Sequence, residues 1–339
     1  MNRMGHRTTR NRPRATIVAL AAYASLSVLC SGALAQTPKT YSLGVLSPAA
    51  APEASTPTSA TLVPTLLREA GYVEGPNLQV HRRYANGKIE HLPGLAKELV
   101  DLQVDVILAV SPTAIKPALD ATRTIPIVMG FGKDPVRDGL IASLAKPGGN
   151  ITGVVVAPED VLAGKRLELI KEAVPHAETI ALLGTSEPSS SLQIQEAQNV
   201  ASSLGVRVLT VELRRGDYET AFQYITSHKA KAMFVLASPI LNARRNRIVE
   251  LAAKYRLPAI YEWPETADVG GMMAYGSSLV GLSRRVAWYV ERIFKGVRPA
   301  DLPVEQPTKF ELVINLKAAK QIGLIIPPHV LARADRVIK

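Results

Sequence analysis

Short runs of β-branched and aliphatic residues alternate with longer amphipathic stretches along most of this chain, and that alternation constrains the fold more than any other feature. Parallel strands need long crossovers, usually helices, so the pattern reads as βα units feeding a parallel sheet. Strands are expected at Tyr41–Leu46, Leu78–Arg82, Val104–Ala109 and Ile125–Met129, with helices at about Thr58–Ala70, Ile89–Leu102 and Thr113–Thr122. Gly71 stands just past the first helix, where a left-handed cap is wanted, and Ser111-Pro112-Thr113 puts a capping residue and a proline at the start of another.

The alternation pauses at Lys146-Pro147-Gly148-Gly149-Asn150, a turn-rich segment read as the edge of a first lobe, and then restarts. Helices at Leu162–Ala173, Ser190–Leu204, Tyr218–Ser227 and Leu241–Tyr255 alternate with strands at Thr179–Leu183, Arg207–Val211, Ala232–Leu236 and Ala259–Tyr261. A further helix, Leu279–Phe294, is expected to return to the first lobe, and a strand is expected at Phe310–Ile314. The fold class is therefore α/β, with two doubly wound parallel-sheet lobes and a hinge. Residues 36–153 make lobe 1, with about 278–300 returning to it; 154–277 make lobe 2, with about 301–339 near the hinge and lobe 2.

The N-terminus sets the compartment. Arg3, Arg7, Arg10, Arg12 and Arg14 precede an apolar run from Ala15 to Leu29 and then Ala33-Leu34-Ala35, the layout of a secretory signal peptide over residues 1–35. Cleavage is expected after Ala35, giving a periplasmic protein. A lipoprotein reading through Cys30 is disfavoured by the bulky Leu29 before it. Removing those five arginines, with no acids among them, lowers the formal charge from +11 to +6, so much of the basicity belongs to targeting. Cys30, the only cysteine, leaves with the segment; the mature chain then has no disulfide, thiol nucleophile or thiolate ligand. No second apolar segment approaches membrane-spanning length.

Ligands of open parallel sheets gather beyond the carboxyl ends of the strands, so the loops there carry the candidate residues. In the first lobe these are Ser47, Ser111, Thr113, Phe131 and Asp134; in the second they are Ser186, Glu187, Ser238, Glu262 and Trp263. Ser111 and Thr113 suit a ligand carboxylate, although Ser111 equally suits the cap of its own helix. Asp134 suits a ligand ammonium or a cap before proline, and Glu262 would complement it from the other lobe. Trp263 would supply an aromatic wall, or simple packing.

Other chemistries lack owners. Gly130-Phe131-Gly132 wants the third glycine of a dinucleotide fingerprint, and no Gly-Lys pair is followed by Ser or Thr. His81, His91, His176, His228 and His329 are scattered without ligand spacing, no nucleophile elbow is present, and no cofactor is implied. Arg214-Arg215, Arg244-Arg245 and Arg284-Arg285 lack interleaved aromatics and read as solvated surface rather than nucleic-acid contacts.

Several ordered segments now carry a family likeness: Gly71-Tyr72-Val73-Glu74-Gly75 with Asn77-Leu78, Leu92-Pro93, Asp105-Val106-Ile107, Ile125-Pro126-Ile127-Val128 and Asp134-Pro135-Val136. Leu144 to Gly153, Leu162 to Leu169, Arg256 to Tyr261, Met273-Ala274-Tyr275-Gly276 and Leu302–Leu316 continue it. Taken together the chain resembles the bacterial ABC transporter substrate-binding family that includes tryptophan- and other aromatic-amino-acid-binding members. The resemblance implies a type I periplasmic-binding fold, hinge closure on a small ligand, and delivery to an ABC permease and its ATPase. It also implies ligand contacts around Ser111, Thr113 and Asp134. The chain differs from the family pattern at Gly184-Thr185-Ser186-Glu187-Pro188 and Ser238-Pro239, in the second-lobe half of the cleft. A LacI-like effector domain, a periplasmic enzyme on the same scaffold and a sensor subunit for a membrane receptor remain as alternative readings.

Overall fold

The computed structural model describes residues 39–53, 56–132, 134–156, 159–213 and 217–339. The expected signal peptide and its cleavage point lie outside the described residues, as does the Arg214-Arg215 pair.

The first sheet contains β1 (Tyr41–Ser47), β2 (Leu78–Tyr84), β3 (Val106–Val110), β4 (Ile127–Gly132) and β5 (Ile151–Val155) in the order β2-β1-β3-β4-β5, every pairing parallel. Helices α1 (Ser59–Glu69), α2 (Leu92–Asp101) and α3 (Pro112–Ala121) make the crossovers. Strands β3, β4 and β5 are buried at every residue, which is why they are continuous apolar runs rather than alternating ones; edge strand β2 is half-exposed and carries His81, Arg82 and Arg83. The turn at 146–150 leads into β5, so the first sheet extends to Val155 and the expected boundary at 153 falls inside a strand.

The second sheet has the order β12-β11-β10-β9-β8-β6-β7. Its strands are β6 (Thr179–Gly184), β7 (Arg207–Glu212), β8 (Ala232–Val235), β9 (Ala259–Tyr261), β10 (Met273–Gly276), β11 (Glu311–Asn315) and β12 (Arg336–Ile338). The β10–β11 pairing is antiparallel and the others are parallel. Around it run α4 (Glu159–Ala173), α5 (Pro188–Ala201), α6 (Tyr218–Ser227), α7 (Pro239–Asn242), α8 (Arg245–Lys254) and α9 (Glu265–Asp268). Three more helices follow: α10 (Leu279–Phe294), α11 (Leu316–Gln321) and α12 (Pro328–Leu331).

Helix α10 packs on the first sheet beside α1. Its buried Leu282, Val286, Tyr289, Val290 and Ile293 follow helical spacing and share a core with Leu43, Val45 and Leu108. Each such aliphatic side chain contributes roughly 1.5–3 kcal/mol by leaving water. Beyond α10 the chain runs along β5, where Thr152 Oγ1 donates to Leu302 O at 2.8 Å and Val304 N to Leu144 O at 2.7 Å, before entering the second sheet as β11. The polypeptide therefore passes between the sheets after β5, after β10 and before β11.

Candidate functional site

The carboxyl ends of β1, β3 and β4 face the loops after β6, β8 and β9 across a chamber with a cavity volume of about 70 Å³. From the first-sheet side come Ser47, Thr58, Ser59, Ser111 and Phe131; from the second come Ser238, Asn242, Glu262 and Trp263. The walls are thus apolar with hydroxyls and one acid among them.

Two of these residues hold backbone conformations that side chains rarely adopt. Ser111 has φ 86° and Phe131 φ 70°, each at or just past the end of a buried strand. Such strain, about 1–3 kcal/mol per residue, persists where surrounding structure enforces it and is concentrated at binding sites. Ser111 N–H donates to Gly130 O at 2.8 Å, which fixes the turn between β3 and α3. Its hydroxyl does not cap α3, contrary to the simpler sequence reading. Ser111 Oγ and Thr58 Oγ1 are both buried without a hydrogen-bond partner among the described residues. A buried hydroxyl left this way costs free energy unless a guest satisfies it.

Phe131 and Trp263 meet across the chamber with ring centroids 5.4 Å apart and planes at 46°, both nearly buried. The sequence separates them by more than a hundred residues; strand ends of two different sheets bring them together.

Bonded to the chamber residue Ser238 lies Glu187, 1% exposed, at the start of α5. Thr113 Oγ1 donates to its Oε1 at 3.3 Å from the first-sheet side, Thr185 Oγ1 donates to Oε2 at 3.1 Å, and Ser238 Oγ donates to the same Oε2. Ser238 Oγ itself accepts from the N–H groups of Ile240 and Leu241, so its proton points to the carboxyl. Burial raises the Glu187 pKa above the ordinary 4.5, while the hydroxyls of Ser238, Thr185 and Thr113 pull the other way. An acid whose folded pKa is raised stabilises the fold fully below its unfolded value, and that contribution is lost as pH rises through the folded value. Melting curves from pH 7 downward should therefore show the native chain gaining stability relative to Glu187→Gln; a difference independent of pH would refute the assignment.

The remaining expected residues lie elsewhere. Asp134 is exposed, does not line the chamber, and accepts from Arg137 N–H at 3.1 Å, so it closes its own turn rather than facing a ligand. Ser186 is exposed and lines a second, wider cavity beside Ala50, together with Lys88, Glu90, Glu212 and Arg244. This cavity shares Ala50 with the apolar chamber. Arg245, expected on a solvated face, is 4% exposed; Arg284 does stay exposed, paired with Glu69, and Arg285 pairs with Glu305 while lying over Trp288.

Sequence reasoning missed several contributors. Gln193 is fully buried and grips Ala237, a chamber residue, from both sides: Nε2 donates to Ala237 O at 2.9 Å and Oε1 accepts from Ala237 N–H at 2.8 Å. Glu265 accepts from Ser278 Oγ and from the N–H groups of Leu279 and Val280, anchoring the start of α10 beside the chamber. A glutamine in a helix and a glutamate after a proline carry no sequence signal for such roles.

Two sheets, one parallel and one parallel but for a single pairing, whose strand ends enclose an aromatic and hydroxyl-lined chamber define a solute-binding protein of the type I periplasmic-binding fold. Residues 63–338 match the family described as ABC transporter substrate binding protein, and the chain belongs to that family. It is similar to a tyrosine-binding protein of Clostridioides difficile (strain R20291), 27% identical over 262 residues that cover 76% of this chain and 74% of the relative. Among solved structures it is similar to a conserved domain protein from Vibrio cholerae, with 25% identity, TM-score 0.73 and coverage of 88% of this chain and all of the other. It is also similar to an ABC domain from Streptococcus pneumonia in complex with L-Trp, with 26% identity, TM-score 0.70 and coverage of 87% of this chain and all of the other. The chain is thus a substrate-binding component of an ABC transporter, in a family of solute-binding proteins rather than enzymes. Among the described residues no helix is long and apolar enough to cross a membrane.

Proposed function

We propose that the chain is exported to the periplasm, captures an aromatic amino acid or a related aromatic carboxylate between two lobes built on the two sheets, and delivers it to an ABC permease and ATPase for import. The observation that carries this reading is that the Phe131–Trp263 pair lines one chamber with Ser111, whose hydroxyl is buried without a hydrogen-bond partner among the described residues. The rings would take the aromatic part of the ligand, and the Ser111 hydroxyl at the start of α3 would meet its carboxylate, where the helix dipole favours negative charge. Glu262, which lines the same chamber, would meet its ammonium. Contacts from both lobes stabilise the closed form over the open one, which is how a ligand drives closure. The tyrosine- and tryptophan-binding relatives support the ligand class.

A thermal-shift screen against L-tryptophan, L-tyrosine, L-phenylalanine, L-leucine and benzoate tests it. At a hundredfold excess over Kd a ligand of the native state adds about 2.7 kcal/mol, or ~4 °C for a chain of this length. An aromatic amino acid should give the largest shift and be recovered unchanged by mass spectrometry. A larger shift with leucine, or chemical conversion of the bound compound, would overturn the proposal.

A further inference from the structure

The Arg244-Arg245 pair reaches across the cleft. Arg245 opens α8 on the second-sheet side, yet its Nη1 donates to Pro57 O at 2.7 Å on the first-sheet side and to Asn242 Oδ1 at 3.1 Å. Its neighbours reach the same way: Asn246 Nδ2 donates to Thr56 Oγ1 at 3.0 Å, and Arg244 Nη1 to Ala51 O at 3.0 Å. Pro57 immediately precedes Thr58 and Ser59, which line the chamber, and Asn242 lines it from the other side. One guanidinium therefore ties together two walls that belong to different sheets.

The position is an expensive one for a cation. The charge is buried, it stands at its own helix's N-terminus, where the macrodipole disfavours it, and its partners among the described residues are carbonyl and amide oxygens rather than a carboxylate. Burial pushes its pKa down, with Glu265 opposing, although a guanidinium remains protonated. All three hydrogen bonds leave from Nη1, while Nε is buried without a partner among the described residues.

We infer that Arg245 is a positioning residue that sets how long the chamber holds its ligand, by fastening the start of α1 to Asn242 without touching the ligand itself. The inference rests on the closure reading above. Removing the fastening raises the rate of opening and hence of ligand loss, while the open form that receives ligand is unaltered.

The test uses the full chain with Arg245→Met, which keeps volume without donors, and Arg245→Lys, which restores a single ammonium donor. With L-tryptophan and L-tyrosine as probes in stopped-flow fluorescence, Arg245→Met should raise the dissociation rate about 10- to 100-fold, the effect of losing a hydrogen bond to a charged group, and leave the association rate within ~3-fold. Arg245→Lys should recover part of the loss. An unchanged dissociation rate in Arg245→Met, or a loss confined to association, overturns the inference. Hydrogen exchange without ligand supplies a separate readout. The amides of Thr56, Thr58, Ser59 and Ala60 should exchange at least ~10-fold faster in Arg245→Met, with those of Val249 to Ala252 unchanged. Equal exchange of both groups would overturn it. Failure of the native chain to bind either probe would instead count against the ligand class, and the exchange result would still decide the role of Arg245.

Discussion

Replacing Trp263 by alanine should weaken ligand binding by about 2–4 kcal/mol, roughly 30- to 1,000-fold, the range in which buried aromatic anchors fall when truncated. Trp263 is 7% exposed and packs in the cluster that contains Val110, Phe131, Val156 and Leu279, all of them residues of the first-sheet side or of the helix covering it. The indole, anchored after β9, thus does two things at once: it walls the chamber and it fills the seam between the lobes. Trp263→Phe keeps a ring at the seam and should lose less than ~10-fold. Calorimetry on both variants, with whichever aromatic amino acid the thermal screen selects, gives the comparison. A Phe131→Leu partner variant completes a double-mutant cycle, in which two touching rings that form one wall show a coupling of about 0.5–3 kcal/mol. Retained affinity in Trp263→Ala would remove the aromatic wall from the mechanism.

The order of βα units was legible because parallel strands buried on both faces, such as Val106–Val110 and Ile127–Gly132, have to be unbroken apolar runs. What escaped reading were strands too short or too close to a turn to show a pattern. Ile151–Val155 follows Gly148-Gly149-Asn150 directly, and Met273–Gly276 and Arg336–Ile338 have no periodicity to detect. Their existence is settled by pairing with neighbours distant in sequence: β5 with β4, β10 with β9 and β11. For the site, the rule that ligands gather beyond strand ends led to Ser47, Ser111, Phe131, Ser238, Glu262 and Trp263, all of which line the chamber. The same rule led to Asp134, which does not line the chamber, because position after a strand does not say which way a turn projects; here the carboxylate accepts from Arg137 N–H. Arg245 and Gln193 were illegible for a related reason. A polar residue in an amphipathic helix reads as solvent-facing, and only packing across the cleft, or against the loop after β8, buries it.

The largest stability effect should come from one methyl group on Gly153. This residue sits in β5 opposite Met129 of β4 with φ 136°, and a Cβ there would lie 2.4 Å from Met129 O and 2.6 Å from Met129 N. Neither contact can be relieved by turning a side chain, because both atoms belong to the neighbouring strand's backbone. The backbone conformation costs about 1–3 kcal/mol for any residue with a Cβ, and forcing apart two paired strands in a packed sheet costs about as much again. Gly153→Ala should therefore lose roughly 3–5 kcal/mol, a large part of the 5–15 kcal/mol that typically separates native from unfolded chains. Gly148→Ala is the control: it shares a positive φ, 70°, but nothing lies within 4 Å of the added carbon, so it should lose only about 1–2 kcal/mol. Urea midpoints of the two variants separate backbone strain from steric displacement, and equal losses would show that the β4–β5 contact is not what requires glycine. The consequence for binding follows from the strand itself. Phe131 lies two residues beyond Met129, so a β4 displaced to accommodate the added methyl carries the chamber's aromatic wall with it, and the surviving folded fraction of Gly153→Ala should bind more weakly while Gly148→Ala binds normally.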